Sequence, residues 1–278
     1  MGFNRGIRRV GFLCCVALTA LQAAPRTLAK LSLKSASALV LDQATGQTLI
    51  EKQAGAVQPI ASLTKLMTAM VLLDARLDPQ EILTITNDDK DMLRHSRSRL
   101  PVGTRLPREQ ALLLALLASE NRAAHALGRT FPGGLDAFVQ NMNAKAKELG
   151  LEETKFEDPS GLSAGNVASA HDLARIMEAA YRYPEIRDFT TRPETSIQAG
   201  RRSIQFPNTN ALVRSSRWNI GLSKTGYIEE AGRCLVMQAM LANRPVLIIL
   251  LDSWGKYSRL GDANRIKQWL EARVGPKG

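Results

Sequence analysis

The pattern of hydrophobic positions predicts strands near both ends of the 278-residue chain and helices between them. Residues 37–42 and 48–51 are apolar runs on either side of the turn-rich segment 42–47, which is the pattern of a β-hairpin. Further strands and a final amphipathic helix are predicted near the other end. The strands are at 203–206, 218–222, 233–240 and 245–251, and the helix is at 259–273.

The middle of the chain has the periodicity of helices. They are predicted at 62–76, 108–118, 123–129, 135–149 and 170–183. The segment 108–118 is apolar nearly all round, so we expect a central, buried helix there. Strands from both chain ends around a helical middle predict one antiparallel sheet with an inserted helical lobe, an α+β fold.

The N-terminal segment differs from the rest. Three arginines within the first nine residues precede an apolar run at 10–21, and small residues follow at 23–29. This order predicts a signal peptide over 1–29, cleaved between about 23 and 29, and a single domain over 30–278. The apolar run is short for a membrane span of about 20 residues, although an uncleaved membrane anchor stays an alternative. Cys234 is the one cysteine after this segment, so no intrachain disulfide is predicted in the exported chain.

The charge balance is basic. The chain has 37 Lys and Arg against 26 Asp and Glu, a net charge of +11. Such a charge suits an acidic polymer or a membrane surface, with which we expect at most a loose association. No basic patch is interleaved with aromatic residues, so we predict no nucleic-acid partner. The basic cluster 94–99 and the pair Asp88-Asp89 are both predicted to be solvated loops.

Ser62 and Lys65 lie three residues apart in the first predicted helix, one turn along the same face. A serine hydroxyl with an amine one turn away is an arrangement for an activated nucleophile. The pair by itself favours a serine N-cap and a solvated lysine, since serine is a preferred cap residue. The rest of the chain has to decide between these interpretations.

Two further short motifs follow in the order that penicillin-binding proteins and class A β-lactamases share. They are Ser119-Glu120-Asn121, after the buried helix, and Lys224-Thr225-Gly226, on or beside a late strand. We place Gly226 in a turn between strands.

These motifs and their surroundings resemble the serine D-Ala-D-Ala peptidase family, the low-molecular-mass penicillin-binding proteins. The resemblance covers about residues 37–272 and is greatest with the endopeptidase branch, since the chain ends soon after its last helix. It implies a β-lactamase/transpeptidase-like fold, and the predicted signal peptide implies a periplasmic location. It also implies hydrolysis of peptidoglycan cross-links through an acyl-enzyme, with β-lactam antibiotics as covalent inhibitors and no cofactor.

The nucleophile and base follow from chemistry, and the other roles from the resemblance. Ser62 is the nucleophile, and Lys65 must be neutral to take its proton, whereas a free lysine titrates near ~10.4. We expect burial and the nearby cation of Lys224 to lower the pKa of Lys65. The resemblance implies that Ser119 relays a proton to the leaving amine. Asn121 would orient Lys65 and the substrate amide.

The third motif is assigned to substrate binding. Lys224 and Thr225 are predicted to bind the terminal carboxylate of the substrate or another acidic group. Gly226 would let the substrate lie beside the strand as an added strand. By the same resemblance, the backbone N–H groups of Ser62 and Tyr227 form the oxyanion hole.

Other functions are less compatible with the residues. A D-Ala-D-Ala carboxypeptidase is the nearest alternative, followed by a serine β-lactamase, for which no Glu-x-x-Leu-Asn base motif is found. His95, His125 and His171 accompany no Gly-x-Ser-x-Gly elbow, and no His-x-x-x-His or paired cysteine predicts a metal. A non-catalytic wall-binding module would lack a motif member, whereas all are present.

Overall fold

The computed structural model describes residues 1–2, 31–200 and 202–274. Nearly all of the predicted signal peptide, 1–29, lies outside these residues. The fold described below is that of the described residues from 31 onward.

A five-stranded antiparallel sheet organises the chain. The described residues contain the following strands, five of which form this sheet: β1 (Ser35–Asp42), β2 (Thr48–Lys52), β3 (Gln58–Pro59), β4 (Ile82–Thr84), β5 (Arg105–Pro107), β6 (Val167–Ala168), β7 (Glu194–Ala199), β8 (Arg202–Pro207), β9 (Ile220–Ile228), β10 (Gly232–Leu241) and β11 (Arg244–Ser253). The main sheet has the order β2-β1-β11-β10-β9, and the other strands form three two-stranded pairs. Because β1 pairs with β11, the prediction of one sheet built from both chain ends is confirmed.

The sheet is buried on both faces. Along β11, Leu247, Ile249 and Leu251 belong to one hydrophobic core and Val246, Ile248 and Leu250 to a second. This explains why β11 is a continuous apolar run rather than an alternating one.

The helices form a lobe between β2 and β9, followed by one C-terminal helix. They are α1 (Lys65–Asp74), α2 (Arg108–Leu117), α3 (Asn121–Arg129), α4 (Gly134–Glu148), α5 (Ala170–Ala180), α6 (Pro184–Thr191) and α7 (Ser258–Val274). Helices α1 to α6 contribute to the first core, and α7 packs its apolar face into the second. As predicted, α2 is buried along most of its length.

Three elements differ from the predictions. Helix α6 was not predicted, because Pro184 was taken only as the end of the preceding helix; proline is equally suited to the first turn of the next one. Strand β7 was missed because Ile197 is its one buried residue and gives little alternation. Strand β9 extends past Leu222 to Ile228, so Gly226 lies inside a strand and not in a turn.

A helix long and apolar enough to cross a bilayer is not found in the described part of the chain.

Candidate active site

Ser62 lies in a 3-10 turn, Ala61–Thr64, that leads directly into α1. Lys65, the first residue of α1, is fully buried. Its Nζ lies 2.7 Å from Ser62 Oγ, 2.8 Å from Asn121 Oδ1 and 2.5 Å from the carbonyl oxygen of Ser160. The expectation that Lys65 is a buried amine beside Ser62 is therefore confirmed, although Ser62 is in a 3-10 turn rather than an α-helix.

The environment of Lys65 favours its neutral form. Burial lowers the pKa of Lys65 from 10.5 to about 7, and the carboxylates of Asp158 and Glu120 partly oppose this effect. Removing an ammonium ion from water is costly, so burial without a close counter-ion releases the proton. An amine with a pKa near neutrality can act as a general base under physiological conditions.

The loop after α4 supplies a contact that the sequence analysis missed. One carboxylate oxygen of Asp158 accepts hydrogen bonds from the backbone N–H groups of Ser160 and Gly161, at 2.6 and 2.8 Å. This holds the Ser160 carbonyl against Lys65. Gly161 has a φ of +80°, and a Cβ there would lie 2.0 Å from the Ala61 carbonyl oxygen. The loop therefore lies directly on the turn that carries Ser62.

Ser119 and Asn121 lie at the junction of α2 and α3. Ser119 has a left-handed backbone, with a φ of 58°, and Glu120 caps α3 by accepting from the N–H of Arg122. Asn121 accepts from Lys65 through Oδ1 and donates from Nδ2 to Ser96 Oγ at 3.1 Å. Because α3 begins only a few residues after α2 ends, the side chains of Ser119 and Asn121 both line one cleft.

Lys224 connects β9 to this junction. Its buried Nζ donates to Ser119 Oγ at 2.8 Å and to the Thr225 carbonyl at 3.0 Å. Burial, then the cations of Lys65 and Arg259, lower the pKa of Lys224. The expectation that burial lowers the pKa of Lys65 is confirmed, and the cation of Lys65 contributes to the lowered pKa of Lys224.

Strand β9 is the edge strand of the sheet and lies beside the turn that carries Ser62. A Cβ on Gly226 would lie 3.0 Å from the Ile60 carbonyl oxygen and 3.2 Å from the backbone nitrogen of Ser62. Glycine therefore allows the close approach of these two backbones, which a Cβ would push apart by a few tenths of an ångström. Thr225 Oγ1 donates to Thr209 Oγ1 at 2.7 Å, and the exposed Tyr227 ring stacks against Arg233.

Two segments that we predicted to be solvated loops have other roles. Asp89 is buried and accepts from His125 Nδ1 and the Arg129 guanidinium. In the basic cluster 94–99, the Arg94 guanidinium pairs with Glu230 and donates to the Leu162 carbonyl. These contacts join residues far apart in the chain, so no local pattern could predict them.

No group of three or more metal-ligating side chains occurs among the residues that the structure describes.

The three motifs that penicillin-binding proteins and class A β-lactamases share thus meet at one site beside the edge strand of the sheet. The family described as D-alanyl-D-alanine carboxypeptidase, peptidase family S11, matches residues 22–254, and the chain belongs to it.

Named relatives and a solved structure agree with this family. The chain is 44% identical over 266 residues to a D-alanyl-D-alanine endopeptidase of Pseudomonas aeruginosa, covering 94% of this chain and 86% of the relative. It is 41% identical over 251 residues to one of Escherichia coli, covering 90% and 81%. The crystal structure of the Streptomyces K15 DD-transpeptidase superposes with a TM-score of 0.80 at 27% identity, covering 87% of this chain and 98% of that one.

Proposed function

We propose that this protein is a periplasmic D-alanyl-D-alanine endopeptidase that hydrolyses peptide cross-links of peptidoglycan through an acyl-enzyme on Ser62. The observation that carries the proposal is the position of Lys65 Nζ between Ser62 Oγ and Asn121 Oδ1, with a pKa of about 7. The names of the two bacterial endopeptidases, with which the chain shares more than 40% identity, support the same activity.

Acylation begins with the neutral amine of Lys65. The amine donates its two N–H groups to Asn121 and Ser160, and its lone pair accepts the proton of Ser62. Ser62 Oγ then bonds to the carbonyl carbon of the D-alanyl residue. The oxyanion that forms is bound by the backbone N–H groups of Ser62 and Tyr227.

The leaving amine needs a proton to depart. Ser119 Oγ lies 2.8 Å from Lys224 Nζ, so Ser119 gives its proton to the amine and Lys224 replaces it. The peptide C–N bond breaks and the acyl group stays on Ser62. Proton exchange with solvent returns Lys65 to its neutral form and Lys224 to its charged form. Water then attacks the ester while Lys65 takes a proton from it, and Lys65 passes that proton to the departing Ser62 oxygen, which releases the D-alanyl acid and restores Ser62.

Strand β9 and the residues at its end position the substrate. Lys224 and Thr225 bind a substrate carboxylate, and the free edge of β9 accepts the substrate backbone as an added strand. The proposal includes export by a signal peptide over 1–29, a single catalytic domain over 30–278 and a loose association of this basic chain with the anionic wall. β-Lactam antibiotics act as covalent inhibitors because their acyl-enzymes form on the same serine.

A D-Ala-D-Ala carboxypeptidase is the second candidate function, favoured by the description of the matching family. Purified muropeptides distinguish the two activities. We expect the protein to convert cross-linked dimers to monomers while pentapeptide monomers keep their terminal D-Ala. The Ser62→Ala variant is the control and should leave the dimers intact. Release of terminal D-Ala with dimers unchanged would contradict the endopeptidase assignment.

A further inference from the structure

A cleft of about 250 Å³ lies beside the candidate active site. One wall is the loop that carries Arg97 and Arg99, a second is the junction of Ser119 and Asn121, and the third is the segment 206–209 at the end of β8. None of the proposed catalytic steps uses the arginines of this cleft.

The contacts of the third motif show where the cleft lies relative to the bond that is broken. Thr225 hydrogen-bonds to Thr209, and Lys224 hydrogen-bonds to Ser119. Thr209 and Ser119 both line the cleft, so it opens where the carboxylate-binding pair ends and where the amine receives its proton. The part of a substrate that lies beyond the broken bond therefore extends into this space.

The charge of the cleft favours an anion. Both arginine side chains are exposed, and Arg99 uses one nitrogen on the Gln205 carbonyl at 3.1 Å, which leaves most of its donors available. Glu120 is the acidic residue of the lining; its carboxylate already accepts from Ser98 Oγ at 2.6 Å and from the Arg122 N–H. A planar guanidinium binds a carboxylate through paired hydrogen bonds.

We infer that this cleft binds the amine-side strand of a peptide cross-link, with Arg97 and Arg99 paired to a carboxylate on that strand. The inference rests on the proposed endopeptidase activity and deepens it. A terminal D-Ala leaving group has a single carboxylate, which Lys224 and Thr225 bind. The leaving group of a cross-link is a larger diamino acid within a peptide, and a second anionic site would recognise it.

The test uses two cross-linked dimers that differ at one group, a carboxylate of the leaving strand other than the one beside the broken bond, which is free in one dimer and amidated in the other. The enzymes compared are the unaltered protein, Arg97→Ala, Arg99→Ala and the double variant, with Arg105→Ala as a matched control on the exposed face of β5. The readout is the ratio of kcat/KM for the free-acid dimer to kcat/KM for the amidated dimer. Acylation by labelled penicillin is measured on every enzyme.

We expect the ratio to fall roughly tenfold or more in the double variant, because a charge-assisted hydrogen bond is lost only with the free acid. The ratio should stay unchanged in Arg105→Ala. An unchanged ratio in the double variant, with acylation of Ser62 by penicillin intact in the unaltered protein, would overturn the assignment of the cleft alone. Failure of the unaltered protein to cleave either dimer, or to be acylated, would instead overturn the proposed function.

Discussion

Lys65 is the residue on which the chemistry depends. Its amine is buried beside Ser62, and burial lowers its pKa to about 7. The carboxylate of Asp158 opposes this shift and also fixes the loop whose carbonyl contacts the amine. Asp158 is therefore a positioning residue that acts on the base from the neighbouring loop.

The pH profile of acylation tests how burial and the Asp158 carboxylate change the pKa of Lys65. The rate constant of acylation by penicillin should rise with pH through an apparent pKa near 7, because only the neutral amine accepts the proton of Ser62. In Asp158→Asn the carboxylate that raises the pKa is gone, so the rising limb should move to lower pH by roughly half a unit to one unit.

The exposed Asp136→Asn on α4 is the control and should keep the profile of the unaltered protein. Thermal melting shows whether each variant is folded. If the rising limb of the acylation rate stays in place or moves to higher pH in a folded Asp158→Asn variant, the Asp158 carboxylate does not act on Lys65.

At the scale of elements, α3 is held at two places. Asn121 at its start contacts Lys65, while His125 and Arg129 further along bind the buried Asp89. Burial by itself would raise the pKa of Asp89, but hydrogen bonds from His125, Arg129 and the Thr86 N–H lower it to about 2. This cluster therefore anchors the helix that positions a motif residue.

Replacing this carboxylate should weaken the fold. Asp89→Asn is expected to lower the free energy of unfolding at pH 7 by roughly 1–3 kcal/mol, since its charged partners lose a buried acceptor. The folded pKa of about 2 lies below the ordinary 3.8, so this contribution is complete above about pH 4 and is lost as the pH falls toward 2.

Denaturant unfolding at several pH values measures the effect. The stability difference from the unaltered protein should shrink below pH 4, and the exposed neighbour variant Asp88→Asn should show almost none at any pH. An equal loss of unfolding free energy in both variants, or a loss that grows in acid, would contradict the role of the Asp89 carboxylate in stabilising the fold.

Elements that depend on local pattern were predicted well from the sequence. The hairpin of β1 and β2 and the buried helix α2 follow from apolar periodicity and turn residues. Contacts between distant residues could not be found this way. The carbonyl of Ser160 is a backbone group that any residue could supply, and the partner of Asp89 lies 36 residues away. The full extent of β9 was also missed, because glycine in a strand suggests a turn.

At the scale of the whole molecule, the sheet and the helical lobe each supply part of the candidate site. The sheet is made from both chain ends and contributes Lys224 on its edge strand. The inserted lobe contributes Ser62, Lys65 and the junction at Ser119. Three short motifs spread over more than 160 residues therefore meet because both ends of the chain close one sheet.

The central claim is that Ser62 is the nucleophile of a penicillin-sensitive acyl transfer. It is tested most directly by incubating the protein with a labelled penicillin, digesting it and locating the adduct by mass spectrometry. We predict one adduct, on the peptide that contains Ser62, and none in a folded Ser62→Ala variant. Absence of any adduct, or an adduct that survives Ser62→Ala, would contradict the mechanism.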